Sequence, residues 1–406
     1  MEALPAGKAK LKEIKYILYG ATIMTSLKTA LPFIDLVSQK NRIKEKLDNA
    51  WARVLSHGHY ILGPEVFELE TQLEKFAKVP HVISCANGTD ALFMVLMAYD
   101  IGPGDAVFVP SFTFAATAEV VALRGATPIF VDVKEDTFTI CSHSLEESIH
   151  FVETKTSLKA KAIIPVDLFG QPADHTAIEA LASAYNLIVI VDAAQSAGAL
   201  YKGESTLTYG DVATTSFFPA KPLGCYGDGG AIFTKDPEIA AVLKSIRVHG
   251  QGETRYQNIR LGVTGRLDTL QAAILLEKLA IFPDEIVARQ RVADRYEEGL
   301  KDSVRTPILS KDRTSVWAQY TLQVKNRDLL QKELAEKGIP TMIYYPEPLH
   351  TQKPYQGFPV APSGLPTTER LAQTVLSLPM HAYLQEQDQD YIIEHVQHAL
   401  QRVARP

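Results

Sequence analysis

The chain has 406 residues, 46% hydrophobic and 22% charged, and its 24 Gly and 23 Pro are close to ordinary usage. That balance excludes a collagen-like or disordered polymer and describes a folded chain of two or three domains, or one large enzyme core. With 41 Lys and Arg against 47 Asp and Glu the formal charge is −6, which lacks the global positive field that nucleic acid or an anionic membrane requires.

Residues 1–30 contain several Lys and an apolar patch at 16–24, far short of the roughly 18 residues of a spanning helix. They read as an extension outside the core, with Met24 a more natural start and the structured chain opening at Leu31-Pro32-Phe33-Ile34-Asp35. From Ser38 the apolar positions Ile43, Leu47, Trp51 and Val54 recur at helical spacing, with Gly58 placed to stop the helix. A second helix is predicted from Pro64, a proline tolerated in a first turn, along Val66, Leu69, Leu73 and Phe76.

After Pro80 short apolar runs alternate with helix-compatible stretches: 81–86, 106–110, 128–133, 162–169, 187–191, 212–218 and 231–234. Most are followed by ten or more residues, the length a right-handed crossover between parallel strands needs. The fold class is therefore α/β, with a mostly parallel seven-stranded sheet in a large domain at 31–283. At 284–406 the alternation thins to a helix at 286–300, a strand at 317–322 and helices at 327–337 and 387–403, a smaller α+β domain. Cysteines stand only at 85, 141 and 225, without zinc-ligand spacing or an even framework, which fits a reducing cytoplasm and no metal.

In open parallel sheets ligands bind beyond the carboxyl ends of the strands, and four such ends carry candidate chemistry. Asn87-Gly88-Thr89-Asp90 opens a helix, so the N–H groups of Gly88 and Thr89 are either a phosphate cradle or an ordinary cap. Asp192 ends a five-residue apolar run and is followed by Ala193-Ala194-Gln195-Ser196; a carboxylate at a sheet rim needs a cationic or donor partner, or caps a turn. Ser216-Phe217-Phe218-Pro219-Ala220-Lys221-Pro222 sets one Lys between two prolines, before Gly227, Gly229 and Gly230. An isolated Lys is usually solvated, but this rigid apolar context suits an amine of lowered pKa that condenses with an aldehyde. The fourth end, 110–117, carries Phe112 and Phe114, either core or cover for a planar ring. Phosphate cradle, aromatic face, buried carboxylate and reactive amine together match pyridoxal phosphate. No GxGxxG opens a βα unit, so a dinucleotide site is unsupported.

These segments, with Phe33-Ile34-Asp35-Leu36 and the run His59-Tyr60-Ile61-Leu62-Gly63-Pro64, resemble the DegT/DnrJ/EryC1/StrS sugar aminotransferases, fold-type-I pyridoxal-phosphate enzymes, over nearly the whole chain from about Phe33. The resemblance implies that Lys221 bonds the cofactor and shuttles a proton, Asp192 pairs with the pyridinium nitrogen, and Gln195 lies beside the phenolic oxygen. It implies that Phe114 stacks on the ring, where relatives have Tyr or Trp, and that Gly88, Thr89 and Ser216 hold the phosphate. It also implies a homodimer with a shared active site, in which a neighbour's loop reaches the phosphate; Thr264 stands where the family has Asn, and a hydroxyl has shorter reach than the amide. Arg266 then faces the anionic sugar nucleotide or forms an interface ion pair, and Tyr345 and His350 touch the sugar. His249 fits a family pattern but is left out of catalysis.

In 84–92, 216–233 and 266–276 the chain resembles members that use glutamate to aminate UDP-2-acetamido-2-deoxy-3-oxo-glucuronate for bacterial O-antigen. An aminotransferase for a 4-keto sugar, a dehydratase and a non-catalytic regulator of the same fold are the alternatives. Lys221 argues against the dehydratases, which typically carry His there. The set Lys221, Asp192, Gln195 and Ser216 argues against the regulator.

Overall fold

The computed structural model describes residues 31–403 except residue 255; the expectations for 1–30, including the Met24 start, lie outside the described residues. Nine short strands precede the C-terminal layer: β1 (His81–Cys85), β2 (Asp105–Pro110), β3 (Thr127–Val131), β4 (Lys159–Ile163), β5 (Ile188–Asp192), the small hairpin β6 (Leu200–Tyr201) and β7 (Glu204–Ser205), β8 (Val212–Ser216) and β9 (Gly230–Thr234). Seven form one sheet in the order β1-β9-β8-β5-β4-β2-β3. Six run the same way and β9 alone is reversed, antiparallel to both β1 and β8. The reversal has a local cause. Helices Gly88–Ala98, Ala116–Leu123, Ser142–Lys155 and His175–Tyr185 cross between successive parallel strands, whereas β8 and β9 are joined by the loop 217–229. Without a crossover the chain folds back as an antiparallel neighbour, and Lys221 sits in that loop.

Both faces of the sheet are covered, as its continuous apolar runs require. Phe108, Val131, Ile163, Val189 and Ala213 pack into one buried layer. Val109, Phe130, Ala162, Ile190 and Val212, one residue out of phase, pack into the other. The strand expected at 162–169 is displaced: β4 begins at Lys159 and ends at Ile163. Pro165 cannot donate to a ladder, and the chain then turns through positive φ at Phe169 (60°) and Gly170 (105°). Gly170 is required there, since a Cβ would lie 2.7 Å from the Trp317 nitrogen.

The helix expected from Ser38 is two, Leu36–Arg42 and Lys44–His57, broken at Ile43. Asp35 caps the first by accepting from the Ser38 N–H, and Gly58 stops the second in the left-handed region at φ 69°. Pro64–Ala77 starts on its proline as predicted.

From Leu31 the described residues hold together as one unit, and the boundary expected at 283 falls in the first turn of the helix Phe282–Leu300. Beyond it a two-stranded antiparallel sheet, β10 (Tyr320–Gln323) and β11 (Val375–Leu378), packs with helices Phe282–Leu300, Arg327–Glu336 and Glu386–Val403 around Tyr296, Leu322, Leu330, Leu376 and Ile392. The strand begins three residues later than expected because Trp317 turns the chain at φ 48°. Among the described residues no helix is long and apolar enough to cross a membrane, and no cluster of side chains could hold a metal ion.

Candidate active site

Because six strands share one direction, the segments after β1, β2, β4, β5 and β8 emerge at one edge. The reversed strand starts there too: Gly230 is paired with Cys85 on one side and Ser216 on the other. Asn87 caps the helix Gly88–Ala98, its Oδ1 accepting from the Asp90 N–H at 2.7 Å. A Cβ on Gly88 would lie 2.7 Å from the Ser216 Cβ, and one on Gly230 would lie 2.5 Å from the Asn87 carbonyl oxygen. Only glycine lets the helix start close on the end of β8. The N–H groups of Gly88 and Thr89, which no intrahelical acceptor can reach, and the Ser216 hydroxyl therefore line one polar concavity with the donors that a phosphate takes.

Asp192 ends β5 and is 7% exposed. Its Oδ1 accepts from the Ala194 N–H at 3.2 Å and its Oδ2 from the Thr117 hydroxyl at 3.0 Å. Burial pushes this carboxyl above its usual range, against those two donors and the Lys221 amine. Lys221 is held by backbone, its N–H donating to the Phe218 carbonyl at 2.8 Å. A Cβ on Gly224 would lie 2.4 Å from that same carbonyl oxygen, so glycine is needed for the loop to fold so tightly. Burial lowers the Lys221 amine and Asp192 pulls it part of the way back up. An amine of lowered pKa beside a buried carboxylate is the pair that nucleophilic amine chemistry requires.

An aromatic wall closes the edge. Phe114 exposes 58% of its surface, whereas Phe112 is buried. Tyr345, reached from the C-terminal layer, packs edge-on to Phe112 at 6.2 Å between centroids and lies 6.4 Å from Phe114. Burial raises its phenol, so it stays protonated at neutral pH. The Gln195 amide donates to the Tyr345 hydroxyl at 3.4 Å, and its Oε1 accepts from the Phe169 N–H at 2.7 Å.

The structure thus brings together Gly88, Thr89, Ser216, Asp192, Lys221, Gln195, Phe114 and Tyr345. It does not bring Thr264, Arg266 or His350 to them. Thr264 is exposed and its hydroxyl pairs with His249 Nε2 at 2.8 Å, at the base of a segment bridged through Val248. Arg266 follows it, half-buried, and among the described residues makes no hydrogen bond to any of the eight. His350 is engaged within the fold: its Nδ1 lies 2.8 Å from the Ser111 hydroxyl, and its Nε2 lies 3.4 Å from Glu369. Sequence reasoning missed the supporting residues. Thr117 was visible as a polar residue after β2, but nothing in the sequence pairs it with Asp192.

A pyridine ring with a phosphate arm fits this arrangement. The glycine-lined concavity would take the phosphate and the buried carboxylate a protonated ring nitrogen, with the Lys221 amine in electrostatic reach of that carboxylate. Comparison with known proteins agrees. The model of the DegT/DnrJ/EryC1/StrS aminotransferase family matches residues 41–397. The UDP-2-acetamido-2-deoxy-3-oxo-D-glucuronate aminotransferase of Pseudomonas aeruginosa is 51% identical over 355 residues, 87% of this chain and 96% of that protein. The crystal structure of a DegT DnrJ EryC1 StrS aminotransferase from Brucella abortus superposes with a TM-score of 0.90 at 54% identity, covering 91% of this chain and 99% of that one. NtdA from Bacillus subtilis, solved with bound cofactor PMP, superposes at 0.82 with 31% identity, covering 93% and 87%. The chain belongs to the DegT/DnrJ/EryC1/StrS aminotransferase family.

Proposed function

We propose that the protein is a pyridoxal-phosphate-dependent aminotransferase that moves the amino group of glutamate onto a nucleotide-linked keto sugar, UDP-2-acetamido-2-deoxy-3-oxo-glucuronate, for bacterial O-antigen synthesis. The observation that carries the chemistry is the buried Asp192 facing the Lys221 amine at the edge where Gly88 and Ser216 close on each other. The sugar is drawn from the relative at 51% identity. Pyridoxal phosphate supplies a ring that withdraws electrons from the amine-bearing carbon, so that a C–H bond there breaks heterolytically.

The chain's own residues divide the remaining work. Gly88 and Thr89 N–H groups and the Ser216 hydroxyl hold the phosphate, and Asp192 keeps the ring nitrogen protonated. Phe114 covers one ring face, and Gln195 lies beside the phenolic oxygen. Lys221, as a free base that its lowered pKa favours, would take the proton from the substrate carbon and return it to the carbon on the far side of the amine nitrogen. The two half-reactions use the same groups in opposite order.

Thr264 and Arg266 serve the site of a second copy of this chain, which makes a homodimer the working unit. Leu261, 84% exposed three residues before Thr264, supports a contact of that segment with another subunit. Arg266 there supplies a guanidinium for the sugar's carboxylate or a phosphate. Tyr345 lines the sugar side and His350 fixes the loop that carries it. The three unpaired cysteines, two of them buried, support a cytoplasmic location.

The test mixes the pyridoxamine form of the enzyme with UDP-linked 3-keto and 4-keto sugars and follows nitrogen from 15N-glutamate. Label on carbon 3 of the uronate is expected; label only on a 4-keto substrate, or water loss without nitrogen transfer, would overturn the assignment.

A further inference from the structure

Bonded to the backbone of Asp192, the turn after β4 buries a second carboxylate. Asp167 is fully buried and takes four donors. Its Oδ1 accepts from the Ala173 N–H at 2.7 Å and lies 3.2 Å from His175 Nε2. Its Oδ2 accepts from the Ser196 hydroxyl at 2.9 Å and closely from the Thr206 hydroxyl. The His175 ring is itself fixed, stacked on Tyr209 at 4.9 Å and edge-on to Tyr201. Burial pushes the Asp167 carboxyl up, but His175, Thr206 and the Ala173 N–H outweigh it and hold the group below its usual range. It is a carboxylate, and its shape matters: four donors converging on two oxygens suit an anion, whereas an amide would present a donor on one side.

The Asp167 segment touches the 192–196 turn at three further points. The Asp167 N–H donates to the Asp192 carbonyl at 3.0 Å, the Asp192 N–H donates to the Pro165 carbonyl at 2.9 Å, and the Phe169 N–H donates to Gln195 Oε1 at 2.7 Å. With the Ser196 hydroxyl, these bonds hold both cofactor-facing residues of the turn from behind. None of the groups that bind Asp167 reaches the concavity, so any effect on chemistry passes through Asp192 and Gln195.

We propose that Asp167, clamped by His175, Thr206 and Ser196, is the positioning residue that aims Asp192 at the cofactor's ring nitrogen and Gln195 at its phenolic oxygen. The inference rests on the pyridoxal phosphate reading above. It gives a buried charge a task that a neutral turn residue would not perform: an anion cannot leave its four donors without large cost, so the turn cannot drift when the ring enters and leaves charge states during turnover.

The test is a cycle between protein and cofactor. Wild type, Asp167→Asn and Ser196→Ala are stripped of cofactor, and dissociation constants are measured for pyridoxal phosphate and for 1-deazapyridoxal phosphate, which lacks the ring nitrogen. Wild type is expected to prefer pyridoxal phosphate, and each variant to lose about tenfold of that preference, the weight of one hydrogen bond to a charged group. A purely structural role weakens both ligands alike and leaves their ratio unmoved, and that result would overturn the proposal. If Asp167→Asn does not fold, Ser196→Ala decides, since it deletes one bond and leaves the carboxylate its other three donors. Failure of wild type to bind pyridoxal phosphate at Lys221 would instead overturn the cofactor reading and this inference with it.

Discussion

The turn after β5 and the loop after β8 face each other across the site and are built in opposite ways. The first, carrying Asp192 and Gln195, is over-determined: Thr117, Phe169, Pro165 and the Asp167 cluster all bond to it, and the Ala194 N–H ties it to itself. The second, carrying Lys221, is shaped by prolines, by Gly224 and by main-chain bonds, and among the described residues the Lys221 amine has no hydrogen-bond partner. The difference matches the tasks proposed for Asp192 and Lys221. A group that holds a ring nitrogen gains from rigidity, because preorganised charge needs no reorganisation during reaction. An amine that must release the cofactor and then carry a proton between two carbons needs a fixed base and a free end.

The largest effect that breaks this comparison is loss of the free end. Lys221→Ala should abolish amino transfer while leaving the melting temperature near wild type, read by turnover and thermal unfolding. Breaking the fixed side should cost somewhat less: Asp192→Asn keeps shape but removes charge, and kcat should fall roughly 100- to 1000-fold. The same variant sharpens the contrast through pH. Burial lowers the Lys221 amine and Asp192 raises it, so the rate at which the cofactor-free enzyme captures pyridoxal phosphate should rise with pH, with its midpoint below that of a free lysine amine. In Asp192→Asn the midpoint should fall further, because the group that raised it is gone; an upward move would contradict the pairing.

At the phosphate end the expected effects are smaller. Gly88→Ala drives a methyl into Ser216, which should cost about 1–3 kcal/mol of stability and weaken cofactor retention, measured by unfolding and by dialysis. Phe114→Ala removes a single exposed face and should weaken cofactor binding about two- to tenfold, in line with one aromatic contact.

Much of the strand layout was legible because parallel strands buried on both faces write continuous apolar runs, and the polar residues that follow them mark the binding edge. Lys221 and Asp192 could be found that way, one between prolines and the other at the end of a run. The reversed direction of β9 was not legible, since only the missing crossover at 217–229 signals it. The strand at 162–169 was misplaced because Ile164 and Val166 continue the apolar run past Pro165, while the backbone turns away. The bond between Thr117 and Asp192, 75 residues apart, and the clustering of Asp167 with His175, Ser196 and Thr206 follow from which strands are neighbours, and strand order is not written in any local pattern. The roles proposed for Thr264 and Arg266 depend on a second subunit, which the family resemblance implies and no local pattern in the chain encodes.

In the proposed mechanism one lysine, chosen by its loop, bonds the cofactor. The chain holds another lysine of lowered pKa, the buried Lys278, whose amine lies 4.8 Å from the Tyr226 ring centre and is lowered to about 8 by burial. Reducing the pyridoxal-loaded enzyme with borohydride and mapping the modified peptide by mass spectrometry separates the two. Pyridoxyl is expected on Lys221 alone; pyridoxyl on Lys278, or on no lysine, would rule out Lys221 as the cofactor's anchor.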